Sequence, residues 1–508
     1  MFILHPESAL KIVRLLQQNI ILKDMNNSKV TPVGYDRDKT KSGILHIGVG
    51  NFHRAHEEFY TNELLKLDPS QSDWTITGAM LLPSDEKLYN ILKDQNGLYT
   101  VTVCGRDGHD QAYEIGSLKD VIWAPKESEK LIAKIADPET KIISMTITEG
   151  GYNIDKEFGQ FDLSNEAVQK DIANPSAPST VFGYLAEGLR KRRDAGAGKV
   201  TILTCDNLQH NGDTAKKAFL SFFKAQDPAL AEWAEANVTF PNSMVDRITP
   251  ATLPADVERL NAMNGTDDKA PVYCEDFIQW VVEDNFAAGR PKWEEVGVEF
   301  TDDVAPYENM KLSLLNASHT LLSYPSFLSG YRKVDEAMKD ERIRKFVREF
   351  MDLDFTPYVP APGNTNLEEY KQTLIERFSN SSVSDQVARL CFDGLSKFPV
   401  YVIPHLTQMV RDEKDLPRVA YLFAAYYNYL KYHTDDNGEN FEVAEPWMDD
   451  EVVKALACDS PLYFLDIAAF AGANLRESKR FTDLYLKFVK DIQEKGAMKT
   501  LETEVLKS

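Results

Sequence analysis

Through the first half of the chain, short runs of β-branched and other apolar residues alternate with stretches whose apolar positions recur at helical spacing. That alternation predicts a parallel sheet covered by helices. The expected strands are Gly43–Gly48, Trp74–Ala79, Leu98–Val103, Lys141–Thr148 and Val200–Cys205. Beyond about Ala305 such runs thin out, and helical periodicity takes over through Lys311–Tyr324, Asp340–Asp352, Leu367–Phe378, Leu416–Lys431 and Ser478–Glu494. The stretch from Gly289 through Asp303 to Pro306 reads as a connection. The expectation is an α/β domain over residues 1–304 and a mainly α-helical domain over residues 305–508, with Met1 to Ile20 as a helical lead-in.

Composition narrows the class. With 508 residues, 43% of them hydrophobic, the chain is long enough for two cores. A formal charge of −22 opposes nucleic-acid binding and attachment to anionic lipid. The longest apolar runs, such as Ala420 to Tyr427, fall short of the roughly 20 residues that span a bilayer. Five scattered cysteines without a C-x-x-C pair suggest neither a zinc cluster nor a disulfide framework. They point to a reducing compartment, the cytoplasm.

In Gly43-Ile-Leu-His-Ile-Gly48-Val-Gly50-Asn51-Phe52-His53-Arg54-Ala55-His56, two glycines stand between a strand and a helix. This is where an α/β sheet binds a dinucleotide: glycine lets the backbone approach the pyrophosphate, and the N–H groups opening the helix face its charge. His53 replaces the third glycine of the usual motif, and a plain strand-to-helix turn is the competing reading. A carboxylate beyond the second strand normally takes the adenosine ribose and favours NAD over NADP. Asp85 is the candidate, although it lies further along than the usual spacing of roughly 20 residues and equally suits a cap for a helix starting at Glu86.

Tyr307 to Tyr324 carries the chemistry. At about 100° per residue, Lys311, His319 and Asn316 share one broad face with Leu312, Leu315 and Leu322, a face the helix is expected to bury. Burying a lysine costs several kcal/mol unless it is paired or loses its proton. Desolvation lowers a lysine from about 10.4 toward the ~7–8 that suits a general base for alcohol oxidation; a stem lying over leucines with its amine in water is the ordinary alternative. At the end of another strand, Cys205-Asp206-Asn207 places an amide where ligands bind in open sheets. Asn207 and Asn316 together would stabilise an oxygen gaining negative charge, unless Asn207 only caps a helix.

These segments, together with Thr146-Ile-Thr-Glu-Gly-Gly-Tyr152, Met244-Val-Asp-Arg-Ile-Thr-Pro250 and the Lys311, Asn316, His319 spacing, resemble the polyol-specific long-chain dehydrogenase/reductase family that includes the mannitol 2-dehydrogenases. The resemblance implies a Rossmann-like amino-terminal domain and a mainly helical carboxyl-terminal domain, with substrate in the cleft between them and no zinc. It makes Lys311 the base, Asn207 and Asn316 holders of the reacting oxygen, and His319, Asp246, Arg389 and Lys397 contacts for the polyol. Glu308, on the same helical side as Lys311, would pass the proton to solvent. Gly48, Gly50, Asn51, Phe52 and Asp85 would bind NAD. The nine histidines read as dispersed, with His53 and His56 part of the nucleotide turn. The implied reaction interconverts mannitol and fructose, in a monomer whose partner is the small-molecule substrate alone. Another polyol (arabinitol, sorbitol), a hexuronate (fructuronate, tagaturonate), or an inactive nucleotide-binding regulatory module are the alternatives.

Overall fold

The computed structural model describes residues 29–155, 159–363 and 365–506; the lead-in expected before them lies outside the described residues. The chain divides into two compact units, one ending at Ala305 and the other beginning at Pro306.

In the first unit six strands form one sheet: β1 (Ile44–Ile47), β2 (Ile76–Met80), β3 (Leu118–Trp123), β4 (Ile142–Met145), β5 (Val200–Thr204) and β6 (Val238–Thr239). Their order is β3-β2-β1-β4-β5-β6, and every neighbouring pair is parallel. This is the doubly wound dinucleotide-binding order, whose switch point lies between the first and fourth strands. The inner strands are buried along their whole length, as expected when helices cover both faces. On one face Leu45, Ile143 and Ile202 pack with Leu131, Leu185 and Phe219 from three helices. On the other, Ile44 and Leu203 pack with Trp280 and Trp293.

The run predicted at Leu98–Val103 does form a strand, Tyr99–Cys104, but it leaves the main sheet. It pairs antiparallel with Gln111–Ile115 and parallel with Val272–Glu275. The connection from Gly105 to Asp110 is too short for the crossover that a parallel neighbour requires. The sheet's edge is instead Leu118–Trp123, whose half-buried Lys119 and Asp120 interrupt the apolar run that marks the inner strands. A third sheet holds Ser243–Asp246, Gln279–Glu283 and Glu299–Thr301.

The second unit is helical. Leu367–Phe378, Pro417–Tyr432 and Lys479–Lys495 fall where periodicity predicts them. The apolar run at Ala420–Tyr427 belongs to the central helix, every residue of which from Pro417 to Leu430 is buried. Among the described residues no helix is long and apolar enough to cross a membrane. Two predicted helices change character: Phe350–Phe355 and Lys311–Asn316 are π-helical, which apolar spacing does not reveal.

The helix Gly394–Tyr401, which carries Lys397, stands on a tyrosine pair. A Cβ at Gly394 would lie 2.2 Å from the Tyr324 hydroxyl and 2.7 Å from that of Tyr426, and both rings are buried. Gly394→Ala is therefore expected to lower stability by about 1–3 kcal/mol, the usual cost of overpacking. Chemical denaturation checks this; an unchanged midpoint would contradict the packing described.

Candidate active site

At the switch point the backbone turns sharply at Gly48, whose φ is 102°. Its N–H donates to the Ala79 carbonyl at 2.9 Å. A Cβ there would sit 2.0 Å from the Thr146 carbonyl oxygen, whereas nothing lies within 4 Å of the Cβ position of Gly50. The first glycine thus permits the close approach of β1 to the segment after β4, and the second leaves an open backbone face. Asn51 donates to the Pro250 carbonyl at 3.1 Å and to Thr252 Oγ1 at 3.2 Å, and accepts from Arg54 Nη2 at 2.7 Å. Phe52 stacks on His56 at 4.8 Å. With both side chains engaged by the protein, these residues offer a ligand the N–H groups of the opening helical turn.

Asp85 lies just past the end of β2. Its carboxylate accepts from the Leu82 N–H at 2.9 Å, closing a capping box on the 3-10 turn Pro83–Asp85, and the residue stands at the N-cap position of the helix Glu86–Asp94 without a side-chain bond to it. Two helices, Asn51–Ala55 and Glu57–Leu67, separate it from Gly48, which accounts for the long spacing. An open glycine face, a helix start and a carboxylate beyond β2 together fit a dinucleotide.

Beneath the turn lies a buried polar group that linear spacing concealed. His46 of β1 stacks on His53, ring centroids 3.3 Å apart and planes 12° apart. Glu57 Oε2 lies 2.8 Å from His46 Nδ1 and 3.3 Å from His53 Nδ1, and His53 Nε2 is 3.2 Å from Glu58. Burial, with neighbouring His53, pushes His46 down to about 4. For His53 burial opposes charge, but Glu57 and Glu58 outweigh it and raise the pKa. Among the described residues, His46, His53 and Glu57 form the group with metal-ligand spacing. Stacked rings, however, direct their in-plane lone pairs side by side rather than toward one tetrahedral centre, so the geometry suits a shared proton. His46 Nε2 reaches Thr146 Oγ1 at 2.6 Å, and Thr146 Oγ1 donates to the Gly48 carbonyl at 3.1 Å. The network therefore braces the glycine turn.

Asn207 follows β5, half-buried. It does not cap the next helix, Asn211–Gln226, whose N-cap position is His210. Its loop is anchored on both sides. Asp206, pushed up to about 6 by burial, accepts from the Ile147 and Thr148 N–H groups and the Tyr152 hydroxyl. Asn211 donates to the carbonyls of Thr204, Asp206 and Ser243. Asp206 and Asn211 stood in the motif without a role assigned, because only the fold shows what they reach. Asp246 ends a strand of the third sheet and is 4% exposed.

In the helical unit Lys311 is 6% exposed and Glu308 is 4% exposed. The expected division into one buried and one open face does not hold: from Lys311 to Leu328 only Asn316 and His319 are partly exposed. On an α-helix residues five apart diverge by about 140°; the wider i→i+5 turn of a π-helix brings them to one side. That turn rotates Asn316 toward the side of the helix that carries Lys311. Asn316 Oδ1 is buried without a hydrogen-bond partner, and Ser313 of the same turn bonds His405 Nε2 at 2.6 Å.

His319 lies against the Phe378 ring at 4.4 Å. Burial, then the charges of Arg389, Arg377, Lys397 and Lys311, hold its pKa well below the ordinary value, leaving a neutral imidazole that both donates and accepts. Arg389 Nε donates to Asp385 at 2.8 Å, while Lys397 donates to the Phe392 carbonyl at 2.6 Å and has its pKa lowered by burial and by Arg389.

A doubly wound sheet with a glycine turn at its switch point, followed in the chain by a helical unit that buries a lysine and an unsatisfied amide oxygen in one π-helical turn, defines a two-domain dinucleotide-dependent oxidoreductase. The chain belongs to the mannitol dehydrogenase family: residues 42–295 match the mannitol dehydrogenase Rossmann domain and residues 303–492 the mannitol dehydrogenase C-terminal domain. It is 43% identical to a polyol:NADP oxidoreductase of Gluconobacter oxydans over 91% of this chain and 95% of that one. The Pseudomonas fluorescens mannitol 2-dehydrogenase, solved as a ternary complex with NAD and D-mannitol, is 40% identical with a TM-score of 0.86, covering 94% of this chain and 97% of that one. A substrate-free D-sorbitol dehydrogenase is 41% identical with a TM-score of 0.84, covering 94% and 98%.

Because Gly48 has a positive φ and meets the Thr146 carbonyl, Gly48→Ala is expected to weaken dinucleotide binding by at least about tenfold, the equivalent of ~1.4 kcal/mol. Titration of NADH fluorescence checks this, and wild-type affinity in the variant would exclude the turn as the cofactor site.

Proposed function

We propose that this polyol oxidoreductase interconverts D-mannitol and D-fructose, with NAD as its cofactor and Lys311 as the general base. The observation that carries the reading is the π-helical turn that holds a buried lysine and, five residues on, an amide whose oxygen is buried without a partner and can accept from a substrate hydroxyl while its NH₂ donates. When bound, NAD supplies the nicotinamide ring that accepts hydride from carbon 2. Lys311, withdrawn from bulk water, takes the hydroxyl proton. The Asn207 and Asn316 amides donate to the oxygen as it gains negative character, so no metal is required for that task. Glu308, one helical turn before Lys311, relays the proton to solvent. In the reverse direction protonated Lys311 returns it to the ketose oxygen.

His319, Asp246, Arg389 and Lys397 hold the remaining hydroxyls. Arg389 is already paired with Asp385 and Lys397 with backbone carbonyls. Their leftover donors suit the substrate's hydroxyls. Similarity to mannitol 2-dehydrogenases and to a D-sorbitol dehydrogenase supports a polyol over a hexuronate. NAD rather than NADP follows from Asp85, whose carboxylate repels an added 2′-phosphate. Five cysteines outside any disulfide among the described residues suit the reducing cytoplasm.

Three outcomes are expected. Among mannitol, sorbitol, arabinitol and fructuronate with its reduced form, the mannitol–fructose pair gives the highest kcat/KM by NADH absorbance; preference for the uronate would overturn the substrate assignment. Lys311→Ala loses roughly 10²–10⁴-fold in kcat while NADH still binds, and small amines restore part of the rate; unchanged turnover would remove the lysine from its role. Asp85→Ala narrows the NAD over NADP ratio of kcat/KM by about tenfold or more, and wild-type enzyme equally efficient with both cofactors would refute the selectivity.

A further inference from the structure

Between the glycine turn and the Asn207 loop runs a short strap, Thr146-Ile147-Thr148, that continues β4 beyond its last paired residue. It borders the switch point directly. On one side its Thr146 carbonyl fills the space that a side chain at position 48 would need, and Thr146 Oγ1 donates to the Gly48 carbonyl at 3.1 Å. On the other side stands the carboxylate of Asp206, the residue before Asn207.

Thr148 adopts φ 64° and ψ 167°. A β-branched residue in that region is a genuine outlier, and such strain persists only where the surroundings impose it. Here one side chain imposes it. Asp206 Oδ1 accepts from the Thr148 N–H at 2.8 Å, and Oδ2 accepts from the Ile147 N–H at 3.0 Å and from the Tyr152 hydroxyl at 2.6 Å. Asp206 is 6% exposed and Tyr152 fully buried, whereas Thr148 is exposed. Two consecutive backbone N–H groups are thus drawn toward one buried carboxylate, and the strained peptide is presented at the open edge of the sheet. Holding an ionised carboxylate there is costly, as the pKa pushed up to about 6 by burial shows. A neutral residue that merely filled the space would avoid that cost.

We propose that Asp206 is a positioning residue for the hydride-transfer site: by clamping the Ile147–Thr148 backbone it holds the dinucleotide turn at Gly48 and the Asn207 amide in fixed register across the switch point. Three parts then act as one body. The glycine turn rests on the strap, the strap on the carboxylate, and the carboxylate is joined covalently to the residue that donates to the reacting oxygen. An amide cannot substitute for it. Asn at position 206 would keep one acceptor and turn an NH₂ group toward an N–H or hydroxyl donor, releasing the strained peptide.

The inference rests on the oxidoreductase reading, and a double-mutant cycle separates the two. Wild-type turnover of a polyol with NAD is the control, and its absence would sink the reading while leaving the clamp to be judged by NADH affinity alone. Asp206→Asn is expected to lower kcat, or in that case NADH affinity, by at least about tenfold in the wild-type background. In a Thr148→Gly background the same change is expected to cost less than roughly threefold, because glycine takes a positive φ without being held there. A merely structural aspartate would give equal losses in both backgrounds. Equal losses, or no loss on Asp206→Asn, overturn the proposal. Should Asp206→Asn fail to fold, Tyr152→Phe removes one of the three hydrogen bonds. It is expected to cost roughly threefold in the wild-type background and nothing measurable in the Thr148→Gly background; the same loss in both would again overturn the clamp.

Discussion

Where the connections after two neighbouring parallel strands run to opposite faces of a sheet a crevice opens, and the chain must turn away from it without a side chain in the path. At Gly48 that demand is met by a positive φ and by backbone packed against backbone, with the Thr146 carbonyl where a Cβ would stand. Everything at the carboxyl edge of the sheet is arranged around this contact. The helix start after Gly50 faces outward, Asp85 stands beyond the next strand, and the strap after β4 links the turn to Asn207. The same closeness explains the stacked His46 and His53 below, because so tight a turn leaves polar groups without water and they must satisfy one another.

Both units bury charge. In the sheet unit His53 lies between Glu57 and Glu58, with one Glu57 oxygen left without a hydrogen bond, and Asp206 accepts from two N–H groups and a phenol. These are braces, and their role is to hold backbone. In the helical unit Arg389 is tied to Asp385 and Lys397 to carbonyls, and Asn316, in the same π-helical turn as Lys311, keeps an oxygen without a hydrogen-bond partner. A buried amide left partly unpaired is unstable by itself and is ready to bind something else.

Much of the fold was legible along the chain. The strands at Ile44, Ile76, Ile142 and Val200 and the helices at Leu367, Pro417 and Lys479 follow from apolar periodicity, because they are buried enough for burial to dominate their composition. Leu118–Trp123 was not, since an edge strand tolerates Lys119 and Asp120; nor was the departure of Tyr99–Cys104 to another sheet, since pairing partners are not written in a strand's own residues. At the site, Lys311, Asn316, His319, Asn207 and the two glycines stood out by residue type in an unusual setting. Asp206 and Asn211 did not, because each acts through backbone groups distant in sequence.

Residue order by itself therefore determined the α/β-then-α division, the place of the glycine turn and the presence of a lysine among leucines, all consequences of local composition and spacing. Tertiary structure alone decided that six strands close in the dinucleotide-binding order. It alone decided too that residues 311 to 316 widen into a π-turn bringing lysine and asparagine to one side, and that Thr148 is held in a conformation it would not choose. The physical reason is the same in each case: these outcomes depend on which backbone groups find partners across the fold, and hydrogen-bond partners far apart in sequence leave no period to read.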